Sequence, residues 1–295
     1  MRTPEQKRWL AVSHVILTVI ALLAVLPFIL LIISSFTDDK VALLNGYSFF
    51  PQKLSLDAYR YIADNSGTFV RAYGITVLVT VLGTSMSVIV TALMAYVLSK
   101  KDLPGGKFLS FMVIFTMLFN GGLVATYISY TTIFGIKNTL AALLFPSLLM
   151  NAFSVMLVRN YFAHNIPGAI YESARIDGAG EFLIFWKLVL PLSVPILATT
   201  GLMSALAYWN DWQNSLYYIS DKALYSIQAI LNAINDSISM LASLGDSAGA
   251  SAAELPTTTI RMAIAVVGIM PILIIYPFFQ KYFAKGLVAG AVKGE

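Results

Sequence analysis

Six stretches of this chain contain no Asp, Glu, Lys or Arg: residues 9–37, 72–99, 108–136, 138–158, 188–210 and 262–280. They run 29, 28, 29, 21, 23 and 19 residues and hold 149 of the 295. A hydrocarbon core of about 30 Å takes about 20 apolar residues at 1.5 Å each, so every stretch is long enough to cross a bilayer. One such run in a soluble protein is a buried core helix; six are a membrane protein. Composition agrees: 58% of residues are hydrophobic and 12% charged, about half the charge a water-soluble surface needs. The same apolar content excludes disorder.

The spacing therefore predicts an all-α, polytopic protein with six transmembrane helices, forming a single domain over 1–295. The first stretch is longer than a signal-peptide core and no A-x-A site follows it, so it reads as a retained span. Pro27, Pro146, Pro271 and Pro277 fall inside spans and predict kinks that neighbouring helices make tolerable.

Orientation follows from the basic residues. With a cytoplasmic N-terminus, the inner segments 1–10, 99–107, 159–190 and 281–295 carry twelve Lys and Arg, and the outer segments seven. Acids divide six inside and nine outside, Asp211 included. Both termini are thereby expected in the cytoplasm. The net charge of +4 reports this topology and no nucleic-acid partner. Two connections are long, an inner one at 159–190 and an outer one at 212–257.

Chemistry is sparse. There is no cysteine, which removes disulfides, thiolate metal sites and Cys nucleophiles. Two histidines, His14 and His164, are too few for a His-rich metal site. An ion-driven carrier needs ionisable groups within the membrane, and the spans hold only His14, with Asp211 at an edge inside the aromatic run Tyr208-Trp209-Asn210-Asp211-Trp212. That run reads as an interfacial belt or, alternatively, a proton relay. Gly105-Gly106-Lys107-Phe108 lacks the upstream Gly and following Ser/Thr of a phosphate loop. If the chain moves a solute uphill, the energy is expected from elsewhere.

The inner connection is the most informative. Asn165 can cap a helix, with Pro167 in its first turn. Gly178 or Gly180 can end it. Glu172 and Arg175 are spaced to pair, and Ala174 and Gly178 form a small-residue face. A second short helical stretch starts at Glu181. A short cytoplasmic helix held at both ends by membrane helices either rests on the bilayer or passes motion to a soluble partner.

Glu172-Ser173-Ala174, three residues, Gly178, nine residues and then Leu188-Val189-Leu190-Pro191 resembles the EAA loop of bacterial ABC importer permeases, E-A-A-x3-G-x9-I-x-L-P. Asp177-Gly178-Ala179 matches its common DGA form. The tail from Gln280 to Gly294 is similar to the maltose-type carbohydrate branch. Asn120-Gly121-Gly122 and Trp209-Asn210-Asp211-Trp212 look most like the second permease of oligosaccharide or polysaccharide importers, the lipoprotein- and alginate-permease type.

The resemblance implies the type I ABC importer permease fold in a bacterial plasma membrane. It implies a second, different permease subunit, two ATPase subunits that bind ATP and Mg, and an external solute-binding protein; no cofactor is expected in this chain. It places Glu172, Ser173, Ala174, Asp177 and Gly178 at the ATPase contact. Asn120, Tyr127, Tyr130 and Asn151 are candidates for the sugar path, since sugars are held by hydrogen bonds and aromatic faces. Their alternative role is interhelical bonding. Gly245, Asp246 and Ser247, in the small polar run of the outer connection, are candidates for contact with the binding protein. The competing functions are an ion-gradient carrier and a structural membrane protein.

Overall fold

The computed structural model describes residues 3–100, 102–243 and 257–291, and among them no strand forms beyond an isolated antiparallel bridge, Thr37 to Leu54. The helices are α1 (Pro4–Ser35), α2 (Asp39–Asn45), α3 (Asp57–Asp64), α4 (Ser66–Ser99) and α5 (Gly106–Leu118). They continue with α6 (Leu123–Ile128), α7 (Leu140–Leu144), α8 (Ala152–Asn165), α9 (Gly168–Ile176) and α10 (Glu181–Ile184). The last are α11 (Leu190–Leu192), α12 (Val194–Trp209), α13 (Gln213–Tyr218), α14 (Ile227–Ser243) and α15 (Thr257–Ala291). They fall into two compact units, residues 1–69 with 231–271 and residues 70–230 with 272–295.

In the first unit, α1 starts at a capping box. The Thr3 hydroxyl accepts from the Gln6 amide, and the Gln6 side chain accepts from the Thr3 amide. The helix continues through Pro27. Its apolar side chains stand exposed on every face, Val15 and Leu22 among them. A helix apolar all round and uncovered by its own chain is one made for lipid or for another membrane helix. Asp39 caps α15, its Oδ1 accepting from the amides of Thr258 and Thr259 at 3.1 and 3.0 Å. That contact puts the end of α1 and the start of α15 on one side. Lys53 and Asp38 pair at 2.6 Å beside it.

In the second unit, α4 and α12 pack through small residues. Ser87 and Ser204 hydroxyls bond at 3.1 Å. Gly83 lies against the Tyr208 ring so closely that a Cβ there would sit 2.4 Å from it. The Tyr208 hydroxyl donates to the Leu144 carbonyl at 2.8 Å, which fixes the ring in place. Close backbone approach is the usual way membrane helices gain packing energy, since lipid supplies no hydrophobic drive between them. One core gathers Ala92, Ala95 and Tyr96 of α4 with Val158 and Phe162 of α8 and Ile196 of α12. A second gathers Val79, Ala142 to Leu144, Tyr208, Tyr218 and Ile219.

Among the described residues, three helical segments are long and apolar enough to cross a membrane unbroken: Arg8–Ser35, Ser66–Ser99 and Thr258–Phe278. Two further pairs reach that length only across a bend. Gly106–Leu118 meets Leu123–Ile133 at 115°, and Glu181–Leu192 meets Val194–Trp209 at 82°. The limb Glu181–Leu192 carries Glu181 and Lys187, so the crossing part of that pair is Val194–Trp209. The stretch 138–158 does not make one helix. It breaks at Phe145–Asn151, where Pro146 lies and Ser147 takes φ +61°. Pro146 thus ends a helix instead of kinking one, whereas α15 runs through Pro271 and Pro277.

Connections also meet within the second unit. Arg159 Nε donates to the Leu98 carbonyl at 3.0 Å, joining the end of α4 to the segment 159–190. Asn138 accepts from the amides of Ser220 and Asp221, joining 131–138 to 212–261.

Candidate coupling site

α9 begins at Pro167, whose extended backbone (φ −60°, ψ 137°) turns the chain into the helix. Asn165 does not cap it; it is the last residue of α8, and α9 has no side-chain cap. Two charged or polar residues, Glu172 and Ser173, point outward, and Ala174 points inward and is buried. Ala174 packs into the core with Tyr96, Phe162 and Ile184, so half of the expected small-residue face holds the helix to its own chain.

The helix ends in a Schellman motif. The Ala179 amide donates to the Ala174 carbonyl at 2.9 Å and the Gly178 amide to the Arg175 carbonyl at 3.0 Å. Gly178 takes φ +79°, and Gly180 an ordinary extended conformation. Of the two glycines, Gly178 is therefore the one the turn requires. No atom lies within 4 Å of where its Cβ would be, so it faces open space, exposed together with Asp177.

Arg175 does not pair with Glu172. It reaches across the turn to Glu181, its Nη2 2.8 Å and its Nε 3.1 Å from Oε1. The other carboxylate oxygen, Oε2, accepts from the Tyr96 hydroxyl at 2.5 Å and from Lys100 Nζ at 2.8 Å. Lys100 also lies over the rings of Tyr96 and Tyr171, 4.2 and 4.5 Å from their centroids. The Tyr96 ring packs on Phe185 at 5.0 Å. Lys100 first, then Tyr96 and Arg175, hold the Glu181 carboxyl down at about 2, against an opposing effect of burial. Glu181 in turn raises Arg175. Glu172 has no hydrogen bond or ion pair among the described residues and lies at a cavity of about 580 Å³ with Lys100, Asp102, Tyr171 and Arg175. The arrangement is a joint between helices.

This joint was not legible as such. The sequence marks Glu181 only as the start of a short helical stretch. The signal that bears on it is Lys100, a cation just past a charge-free run, which needs an anion from another connection.

The other expected residues have local partners. Asn120 Oδ1 accepts from the Gly122 amide at 2.9 Å and shapes the bend between α5 and α6. Asn151 caps α8, accepting from the Ser154 amide at 3.0 Å. Tyr127 stacks on Tyr218 with centroids 5.7 Å apart, and Tyr130 meets the same ring edge-on at 6.1 Å. Tyr208 and Trp209 are buried in protein, so they do not form an interfacial belt. Asp211 holds the start of α13 through the Asn214 amide. Gly245, Asp246 and Ser247 lie outside the described residues.

No family model matches the chain. Individual proteins do. It is 41% identical over 94% of its length to the polygalacturonan/rhamnogalacturonan transport system permease protein YtcP of Bacillus subtilis, covering 96% of that protein. It is 37% identical to Protein LplC of the same organism, over 92% of this chain and 90% of that one. The trehalose/maltose transport system permease protein MalG of Thermococcus litoralis is 28% identical over the full length of both. Among solved structures, a bacterial ABC transporter involved in the import of the acidic polysaccharide alginate has a chain that superposes with a TM-score of 0.79. That chain is 28% identical, with 96% of this chain and 99% of that one covered. With its apolar helices and this full-length likeness, the chain is a multi-pass membrane protein and belongs to the permeases of ABC sugar importers.

Proposed function

We propose that this permease works with a second, different permease subunit, two ATPase subunits and an external solute-binding protein, and imports an oligosaccharide or polysaccharide. The observation that carries the ATPase contact is the exposed rim of α9. Glu172, Ser173, Asp177 and Gly178 face outward while Ala174 anchors the helix from behind. The ATPases hold ATP and Mg; this chain holds neither. The joining of segments 99–107 and 159–190 supports a cytoplasmic face there, with both termini on that side of a bacterial plasma membrane. The whole of 1–295 then acts as one permease domain. Tyr127 and Tyr130, beside Tyr218, offer aromatic faces to sugar, and Asn120 and Asn151, both exposed, offer amide groups. The small polar run at Gly245, Asp246 and Ser247 is the proposed binding-protein contact.

The relative YtcP is named for polygalacturonan and rhamnogalacturonan transport, and the solved neighbour takes part in alginate import; fragments of these polymers are the substrates to try. The test is recovery of the ATPase through a tag on this chain, with ATP-dependent uptake of those fragments. Glu172→Ala is expected to lower recovery several-fold, roughly the cost of a charged interface contact. Equal recovery from variant and wild type would remove α9 as the docking surface.

A further inference from the structure

We propose that Glu181 is a positioning residue of the coupling machinery: its single carboxylate ties α9, through Arg175, to the end of α4, through Tyr96 and Lys100, so that displacement of α9 moves α4. This rests on the reading of α9 as the ATPase-facing helix.

The reason is mechanical. Between α9 and α10 the chain is Asp177-Gly178-Ala179-Gly180, two of four residues being glycine. Glycine adds backbone freedom, so this link alone is a soft hinge. Two Arg175 nitrogens donate to the one Glu181 oxygen, Oε1, across the hinge, and charge-assisted bonds of this kind are stronger than neutral ones. The same carboxylate uses its second oxygen on α4, from a hydroxyl and an ammonium four residues apart. Further along the same helix, Ser87 and Gly83, nine and thirteen residues before Tyr96, contact α12 at Ser204 and Tyr208. A continuous set of packed and bonded groups thus leads from α9 into the membrane helices. Contiguity of this kind carries coupling only if breaking a member changes the response.

The experiment uses the native complex with its own ATPase and binding protein, recovered through a tag on this chain. The ratio of stimulated to unstimulated ATP hydrolysis is measured with whichever polygalacturonan, rhamnogalacturonan or alginate fragment stimulates the wild type. Glu181→Gln keeps the shape and loses the charge. The expected result is normal ATPase recovery with the stimulation ratio reduced roughly 3- to 10-fold. Tyr96→Phe removes one donor while keeping the ring on Phe185. Its effect combined with Glu181→Gln should fall short of the product of the two, because both act on one contact. A full ratio from Glu181→Gln, or a strictly multiplicative double variant, overturns the proposal. Should Glu181→Gln fail to assemble, Tyr96→Phe alone decides: a reduced ratio supports the link and an unchanged one overturns it. Failure of the wild-type chain to recover any ATPase is a different result and overturns the docking role of α9.

Discussion

Arg175 and Glu181 face each other across the turn that ends α9, with Nη2 2.8 Å from Oε1. They are six residues apart and on different helices, so neither helix alone brings them together. Glu172, three residues before Arg175 and on its own helix, has no ion pair among the described residues.

The first prediction concerns pH. The Glu181 carboxyl lies at about 2 in the folded protein, below its ordinary 4.5. A depressed acid adds stability that is fully present above the ordinary value and lost as pH falls through the folded one. The contribution is therefore constant above about pH 5 and fades between there and pH 2. Since the carboxylate is half exposed, the effect is small, as solvent screens it. Thermal unfolding of purified protein from pH 7 to 3 should show the wild type losing more than Glu181→Gln. Parallel profiles would mean that the ion pairs add nothing.

At Gly178 two effects separate. Nothing lies near its Cβ, so Gly178→Ala is penalised only by φ +79°, about 1–2 kcal/mol. Asn tolerates that conformation better, and Gly178→Asn should lose less. Thermal unfolding orders the three proteins. Gly178→Trp adds bulk on the exposed rim and should lower ATPase recovery well below that of Gly178→Asn. If the two variants recover equal ATPase, bulk at this position does not meet the partner.

Gly83 presents the opposite case. Its conformation is ordinary, but a Cβ would overlap a Tyr208 ring whose hydroxyl is tied to Leu144. Gly83→Ala should cost about 1–3 kcal/mol through overpacking. Adding Tyr208→Leu should restore part of the loss by making room. A Gly83→Ala protein that melts with the wild type would show that α4 and α12 separate without cost.

Sidedness gives a further prediction. A reporter fused after Glu295 should report the cytoplasm, and one inserted near Asp246 the outside. Both on one side would contradict the placement of the charged connections.

Much of the architecture was legible because the bilayer imposes a simple rule. A charge-free run of about 20 residues must become helix if its backbone is to be satisfied in lipid. Hence 72–99 and 262–280 lie within the long helices α4 and α15, and 9–37 lies within α1 but for its last two residues. The rule reads composition and is blind to breaks. It predicts one helix over 138–158, where the structure divides the run at Pro146 and Ser147. It treats 108–136 as straight, where the Asn120 turn bends it by 115°.

The inner connection divides the same way. The spacing Glu172 to Gly178 to Pro191 is local, so sequence alone determined a helix, its glycine stop and its kinship with the EAA loop. Which glycine stops it depended on backbone angles, and Gly178 took the left-handed conformation. Partner choice was beyond local reading. Glu172 and Arg175 are three positions apart on one helix, a spacing that permits a pair. Folding instead brought Glu181 within reach from beyond the turn and Lys100 and Tyr96 from the end of α4, 81 and 85 residues earlier. An ion pair forms with the group that packing delivers at the right distance, and only the tertiary structure sets that distance.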